Sequence, residues 1–200
     1  MRSPLIVLLL GVAASCGGPA RDSQALHGTE LPTPVARPDF VLTDTHRQPF
    51  DFARETKGTL TLLYFGYTHC PDVCPVQMAN IAAAMRPLSR ADQERIKVVF
   101  VTTDPARDSI EQIRSWLDNF NPAFIGLTGT EAQIEAAERA VGVAVARREA
   151  SQPGDTTYVV GHAAQVYAFT ADDTAHIVYP FGTLQQQWAH DLPELLRGRH

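Results

Sequence analysis

Residues Tyr64 to Gln77 read YFGYTHCPDVCPVQ and place two cysteines, Cys70 and Cys74, four positions apart, each followed directly by a proline. The overlapping segment 58–67, GTLTLLYFGY, is an almost continuous apolar run with β-branched and aromatic residues, which predicts a buried central strand. After the second proline, apolar residues recur at helical spacing over 78–88. This stretch therefore predicts a strand, a cysteine-bearing loop and a helix in direct succession.

Strand and helix patterns alternate along the rest of the chain. A short hairpin is predicted over 39–52, and a hairpin near the end over 161–182. Between and after them, the patterns predict strands at 96–104 and 123–129, and helices at 108–120, 130–143 and 184–198, the last interrupted by Pro193. The fold class is thus a thioredoxin-like three-layer α/β/α domain with an N-terminal β-hairpin and a mixed central sheet. A thioredoxin-like fold carries its chemistry between a central strand and a helix, which is where the cysteine loop is predicted here.

The composition is that of a globular domain. The chain has 200 residues, 44% of them hydrophobic and 20% charged, with a net charge of −5. It has no lysine or arginine run, which disfavours a nucleic-acid partner or an anionic-membrane surface. One domain is the expectation for this length.

The N-terminus has the pattern of an export signal. Residues 1–15 contain one arginine and an apolar run too short to span a bilayer, and they are predicted to be a signal peptide. The AASC ending resembles a bacterial lipoprotein signal, in which Cys16 is lipidated, although Ala13 stands where leucine is favoured. Ordinary cleavage or an uncleaved anchor is the alternative. Each places the domain on the extracytoplasmic face of a bacterial membrane, with 16–35 as a flexible tether and 36–197 as the domain.

The remaining cysteine pair points to chemistry rather than to structural support. A bridge between Cys70 and Cys74 would close so small a loop that it would stabilise the fold little. Cys74 falls at a helix N-terminus, where the dipole and free amides are expected to lower a thiol's pKa. Two thiolates about one turn apart suit a soft metal such as Cu(I), or they can close to a disulfide, and the spacing leaves both open.

A third ligand would favour a metal, and His162 is one candidate because it opens a predicted strand after Gly161. Taken alone, a histidine at the start of a strand is more often a capped loop residue than a metal ligand. His69 adjoins Cys70 and could tune it, but neighbours in an extended loop point apart. The remaining histidines have ordinary explanations in the tether, a turn, a strand, a polar helix face and the terminus: His27, His46, His176, His190 and His200.

The motif GYTHCPDVCP (66–75) resembles the signature of the Sco/SenC family of copper-binding cytochrome oxidase assembly proteins. Three further segments match that family in order: FVTTDPARD (100–108), IGLTGT (125–130) and VVGHAAQVYAF (159–169). The resemblance covers about 36–197. It implies a thioredoxin-like domain that binds copper, as Cu(I) or Cu(II), through both cysteines and one histidine, which here are Cys70, Cys74 and His162.

The chain departs from the family pattern beside that histidine. An acidic residue and a serine often flank it in the family, whereas Gly161 and Ala163 flank His162 here. Polar neighbours normally orient a ligating imidazole, so their loss predicts an altered affinity or redox poise. Asp104 is the candidate to replace that support, with a helix cap or turn residue as the alternative. Asp72 is expected to accept hydrogen bonds within the cysteine loop, with contact to a docked partner as the alternative.

Two functions follow from these residues. One is a metallochaperone that delivers copper to the CuA site of a cytochrome oxidase subunit, with other periplasmic copper carriers as further partners. The other is a thiol–disulfide oxidoreductase in which Cys70 attacks and Cys74 resolves, a role that does not need His162. Copper binding is the principal interpretation and the oxidoreductase is the alternative, so enzyme status is left open. A peroxide-scavenging or redox-sensing domain is disfavoured, because Thr68 lies two rather than three positions before Cys70.

Overall fold

A computed structural model describes residues 25–149 and 157–200. The predicted signal peptide and Cys16 lie outside the described residues. Helices in the described part are α1 (Phe52–Glu55), α2 (Val73–Met85), α3 (Arg90–Glu94), α4 (Ile110–Asp118), α5 (Glu131–Val141) and α6 (Gln185–Leu196). Strands there are β1 (Thr29–Ala36), β2 (Val41–Asp44), β3 (Pro49–Asp51), β4 (Leu60–Gly66), β5 (Ile96–Thr102), β6 (Ile125–Thr128), β7 (Arg147–Glu149), β8 (Val159–Gly161), β9 (Val166–Phe169) and β10 (Thr174–Tyr179).

A mixed sheet organises the domain, as predicted. Its order is β1-β10-β9-β4-β5-β6-β2-β3, with β4, β5 and β6 parallel and β9 antiparallel to β4. The predicted hairpins are present as β2–β3 and β9–β10. A separate two-stranded ribbon, β7–β8, precedes the histidine-bearing loop.

The central strand β4 is buried along its whole length, since both of its faces are covered. Leu62 and Tyr64 point into one core with side chains of α2, α4 and α6. Leu63 and Phe65 point into the other core with α1 and α5. The alternation of side chains along a strand therefore produces the three layers.

The sheet begins earlier than the sequence indicates. Residues Thr29–Ala36, which begin inside the predicted tether of 16–35, form β1 and pair with β10 at the edge of the sheet. Six of these eight residues are exposed, and the register shifts between Glu30 and Val35, where Pro32 and Pro34 lie. Because this edge strand has no apolar alternation and carries prolines, its composition resembles that of a linker.

Helix ends follow the capping residues that the sequence offers. Ser109 caps α4 by accepting a hydrogen bond from the Gln112 amide, and Thr130 caps α5 through a capping box. Helix α6 continues through Pro193, and packing of Trp188 in the core offsets the missing backbone bond. No helix in the described ranges combines the length and the apolar character required to cross a membrane.

Candidate metal centre

The cysteine pair lies where β4 gives way to α2. Cys74 is fully buried in the first turn of α2, and Cys70 is 9% exposed in the preceding loop. The Cys74 amide donates a hydrogen bond to the Cys70 sulfur at 3.4 Å, so the loop folds back on the helix start. Both cysteines are free thiols, and the four-residue spacing places both sulfurs on one side, as predicted.

His162 reaches the same point from the loop between β8 and β9. Its Nε2 lies 3.5 Å from the Cys74 sulfur. Its Nδ1 is 3.1 Å from the carbonyl oxygen of Ala163, which can only accept a hydrogen bond. The proton is therefore on Nδ1, and the lone pair of Nε2 faces the cysteines.

Two tyrosines fix the plane of the imidazole. The rings of Tyr64 and Tyr67 meet His162 edge to face, with centroids 6.0 and 5.6 Å away. The Tyr64 hydroxyl also donates to the Cys74 sulfur at 3.4 Å. This aromatic pair and the Ala163 carbonyl supply the orientation that polar neighbours of the histidine would otherwise give.

The two thiols differ strongly in acidity. The hydrogen bond from Cys74 is the largest cause that holds the pKa of Cys70 well below its usual range, and it outweighs the burial that would raise that pKa. Burial raises the pKa of Cys74 instead, which reverses the expectation that the helix N-terminus would make Cys74 the thiolate. Complete desolvation and the adjacent Cys70 thiolate outweigh the helix dipole there.

The donor atoms of Cys70, Cys74 and His162 all lie within 4.8 Å of one another. Two sulfurs and an imidazole nitrogen form a soft donor set that suits Cu(I) and also accommodates Cu(II). A small movement of the loop would let all three approach one ion. The residues present therefore fit a copper ion.

Asp108 anchors the cysteine loop, a role that the sequence did not reveal. Its buried carboxylate accepts hydrogen bonds from the Thr68 amide and hydroxyl and from the Thr102 hydroxyl. His69 lies 3.2 Å from the same carboxylate and is directed away from the metal donors. The expectation that His69 and Cys70 point apart is thus confirmed.

Asp104 supports the approach to His162 but not the imidazole itself. It is buried, pairs with Arg107, and accepts a hydrogen bond from the Tyr158 hydroxyl at 2.7 Å. Arg107 in turn donates to the Tyr158 carbonyl and lies over its ring. These contacts hold the strand β8 that leads to His162. The sequence did not indicate the partnership of Asp104 with Tyr158, because the two residues lie far apart along the chain.

Several known proteins are similar to this chain in sequence and fold. A protein of Stutzerimonas stutzeri named for copper binding is 33% identical over 141 residues, which are 68% of this chain and 69% of its own length. Apo Sco1 of Thermus thermophilus superposes with a TM-score of 0.76 at 29% identity, covering 86% of this chain and 98% of that one. Copper-bound ScoI of Bradyrhizobium japonicum superposes with a TM-score of 0.70 at 30% identity, covering 81% of this chain and 99% of that one.

The chain spans 34%, 32% and 53% of the lengths of three mitochondrial relatives, from Arabidopsis thaliana, yeast and mouse. The SCO1/SenC family model matches residues 29–197, which include β1 and all three candidate ligands. With the ordered motifs, the strand–loop–helix site and this match in agreement, the chain belongs to the SCO1/SenC family.

Proposed function

We propose that this protein is a copper chaperone that holds copper through Cys70, Cys74 and His162 and delivers it to the CuA centre of a cytochrome oxidase subunit. The convergence of these three donors within 4.8 Å carries the proposal. The names of the Stutzerimonas relative and of the copper-bound Bradyrhizobium structure support copper as the metal.

The site is suited to the exchange of ligands with a partner as well as to the binding of copper. Cys74 is fully buried, whereas Cys70 is 9% exposed and His162 is half-buried in a loop from another part of the chain. Cu(I) accepts two or three soft ligands, so an incoming thiolate of a partner can replace one donor at a time. We expect exchange to begin on the side of Cys70 and His162, with Cys74 as the last ligand to leave.

Copper titration of the full chain with reduced thiols tests the ligand set. Wild type should bind one copper per chain, and His162→Ala should lose more than about tenfold in affinity together with the thiolate-to-Cu(II) charge-transfer band. His69→Ala is the matched control, because His69 adjoins Cys70 but faces Asp108. Equal binding by wild type and His162→Ala would remove the histidine from the ligand set.

Thiol–disulfide exchange is a second candidate function, favoured by one observation. Cys70 has a lowered thiol pKa and lies beside Cys74, which can resolve a mixed disulfide. In that reaction the Cys70 thiolate would attack a disulfide of the oxidase copper site. Cys74 would then release the reduced target and leave a Cys70–Cys74 disulfide on this protein. His162→Ala should leave the rate of this reduction nearly unchanged, which separates it from copper transfer.

The proposed location is the extracytoplasmic face of a bacterial membrane, with the chain fastened through lipid on Cys16. The signal-like residues 1–15 and the small residues before Cys16 support this. Other periplasmic copper carriers would supply the metal. Cys16→Ser should move the protein from the membrane fraction to the soluble extracytoplasmic fraction, and retention in the membrane would favour an uncleaved anchor.

A further inference from the structure

A second cluster of metal-ligating side chains lies between the N-terminal segment and helix α6. Asp191 of α6 is fully buried, and its Oδ1 is 2.8 Å from Nδ1 of His27 and 2.7 Å from Nδ1 of His190. His27 and His190 are 38% and 36% exposed in their side chains, so solvent ions can reach the cluster. None of these residues contributes to the cysteine site.

The other oxygen of Asp191 is held separately. Oδ2 accepts hydrogen bonds from the His27 amide at 2.6 Å and from the buried Tyr179 hydroxyl at 2.8 Å. These donors stabilise the ionised carboxylate and fix its orientation, as supporting residues do around metal ligands. Gly28 lets the chain run close to β10 at this point, because a Cβ there would lie 2.5 Å from Ile177.

The two distances from Asp191 Oδ1 to the histidine nitrogens are compatible with one coordination geometry. Atoms 2.7 to 2.8 Å apart subtend about 85° at an ion about 2.05 Å from each. Cis angles near 90° belong to tetragonal sites of nitrogen and oxygen ligands, whereas a tetrahedral zinc site would need the atoms to separate to about 3.3 Å. The imidazole rings are nearly perpendicular, at 86°, with centroids 4.9 Å apart, so they approach from different directions.

We propose that His27, His190 and Asp191 form a second metal site that takes a tetragonal divalent ion of the Cu(II) class. Nδ1 of each histidine and Oδ1 of Asp191 are the ligands. Nδ1 of each ring must be without its proton to ligate the ion. This hard and intermediate donor set prefers a divalent ion, in contrast to the soft Cu(I) site at the cysteines.

A full chain without thiols isolates this site from the one under Proposed function. The parent variant is Cys16→Ser/Cys70→Ser/Cys74→Ser, titrated calorimetrically with Cu(II) and, separately, with Zn(II). We expect one equivalent of Cu(II), bound at least tenfold more tightly than Zn(II), with nitrogen hyperfine structure in its electron paramagnetic resonance spectrum. His27→Gln and His190→Gln should each weaken Cu(II) binding more than about tenfold.

The matched control is His176→Gln, because Asp172, His176 and His200 form another imidazole–carboxylate cluster. This variant should bind Cu(II) as the parent does. The proposal is overturned if the parent binds no Cu(II), if His27→Gln binds as tightly as the parent, or if His176→Gln is the change that removes the site. Since His27 is partly exposed, its variant decides the question even if His190→Gln fails to fold.

Discussion

At the scale of single residues, the site depends on an unequal pair of thiols. Cys70 is stabilised as a thiolate by the Cys74 thiol and amide, while burial keeps Cys74 protonated. One negative charge beside one thiol is easier to bury than two thiolates. The pair therefore has one nucleophile before any metal binds, and Cys74 gives up its proton when it ligates an ion or closes the disulfide.

The acidity of Cys70 can be tested in the metal-free protein. The pKa of Cys70 is lower in the folded protein than in the unfolded chain, so ionisation of Cys70 stabilises the fold. This stabilisation is complete above the unfolded pKa of about 8.5 and is lost as the pH falls toward the folded pKa. Cys74→Ala removes the largest cause and should raise the pKa of Cys70. Ultraviolet thiolate absorbance against pH measures this, and a midpoint that does not move would contradict the assigned cause.

Gly66 leaves room for the sulfur of Cys74. A Cβ at this position would lie 2.8 Å from the Cys74 sulfur and 2.9 Å from the Tyr64 ring. Gly66→Ala should lower the free energy of unfolding by about 1–3 kcal/mol and weaken copper binding. Gly58→Ala is the control: Gly58 has φ 66° in open space, so the change should cost about 1–2 kcal/mol without affecting copper. Parallel denaturant melts and copper titrations compare the two.

At the scale of elements, two loops at the same end of the sheet build the centre. The loop after β4 carries Cys70 and leads to Cys74 in the first turn of α2, and the loop before β9 carries His162. These strands are hydrogen-bonded neighbours, with Tyr64 paired to Val166, so their ends bring the loops together. Asp108 lies beyond the end of β5 and accepts hydrogen bonds from Thr68 in the cysteine loop and from Thr102 in β5, so it joins the loop to that strand.

Removal of the Asp108 carboxylate should loosen the cysteine loop. Asp108→Ala leaves the buried Thr68 amide and the Thr102 hydroxyl without their acceptor, at a cost of about 3 kcal/mol in unfolding free energy. Asp118→Ala is the control, because its pair with Arg114 is half exposed and should be worth less than about 1 kcal/mol. Denaturant melts measure both, and equal losses would argue against the anchoring role.

At the scale of the whole molecule, Arg37 ties three distant segments together. Its guanidinium donates to Asp173 in the β9–β10 turn, to Thr56 at the end of α1, to Thr61 in β4, and to two backbone carbonyls. The side chain is 3% exposed and packs over the rings of Phe52 and Phe169. This contact fastens the connection between β1 and β2 to the middle of the sheet.

Arg37→Met should therefore destabilise the fold while leaving the metal donors in place. We expect a loss of about 3–5 kcal/mol in unfolding free energy, since Asp173 and several buried acceptors lose their partner. Arg54→Met removes an exposed pair with Glu55 and should cost less than about 1 kcal/mol. Thermal melts compare them, and a small loss for Arg37→Met would mean that water satisfies those groups.

Much of the fold and part of the site follow from local patterns. The apolar run of β4, the helical spacing after Cys74 and the caps Ser109 and Thr130 predict their elements because side-chain periodicity is a property of neighbouring residues. His162 is different, since it lies 88 residues from Cys74 and became the favoured third ligand only through a family resemblance. The edge strand β1 was missed because pairing with β10, rather than its own composition, makes it a strand.

By itself, the sequence determined the order of the central strands and the longer helices, the cysteine loop at a strand end and the spacing of its two thiols. Tertiary structure alone decided that Cys70 rather than Cys74 is the thiolate, that Ala163 and two tyrosines orient His162, and that His27 meets His190 at Asp191. The physical reason is that periodicity and capping act over a few residues. Desolvation and the meeting of distant side chains depend on which surfaces pack together.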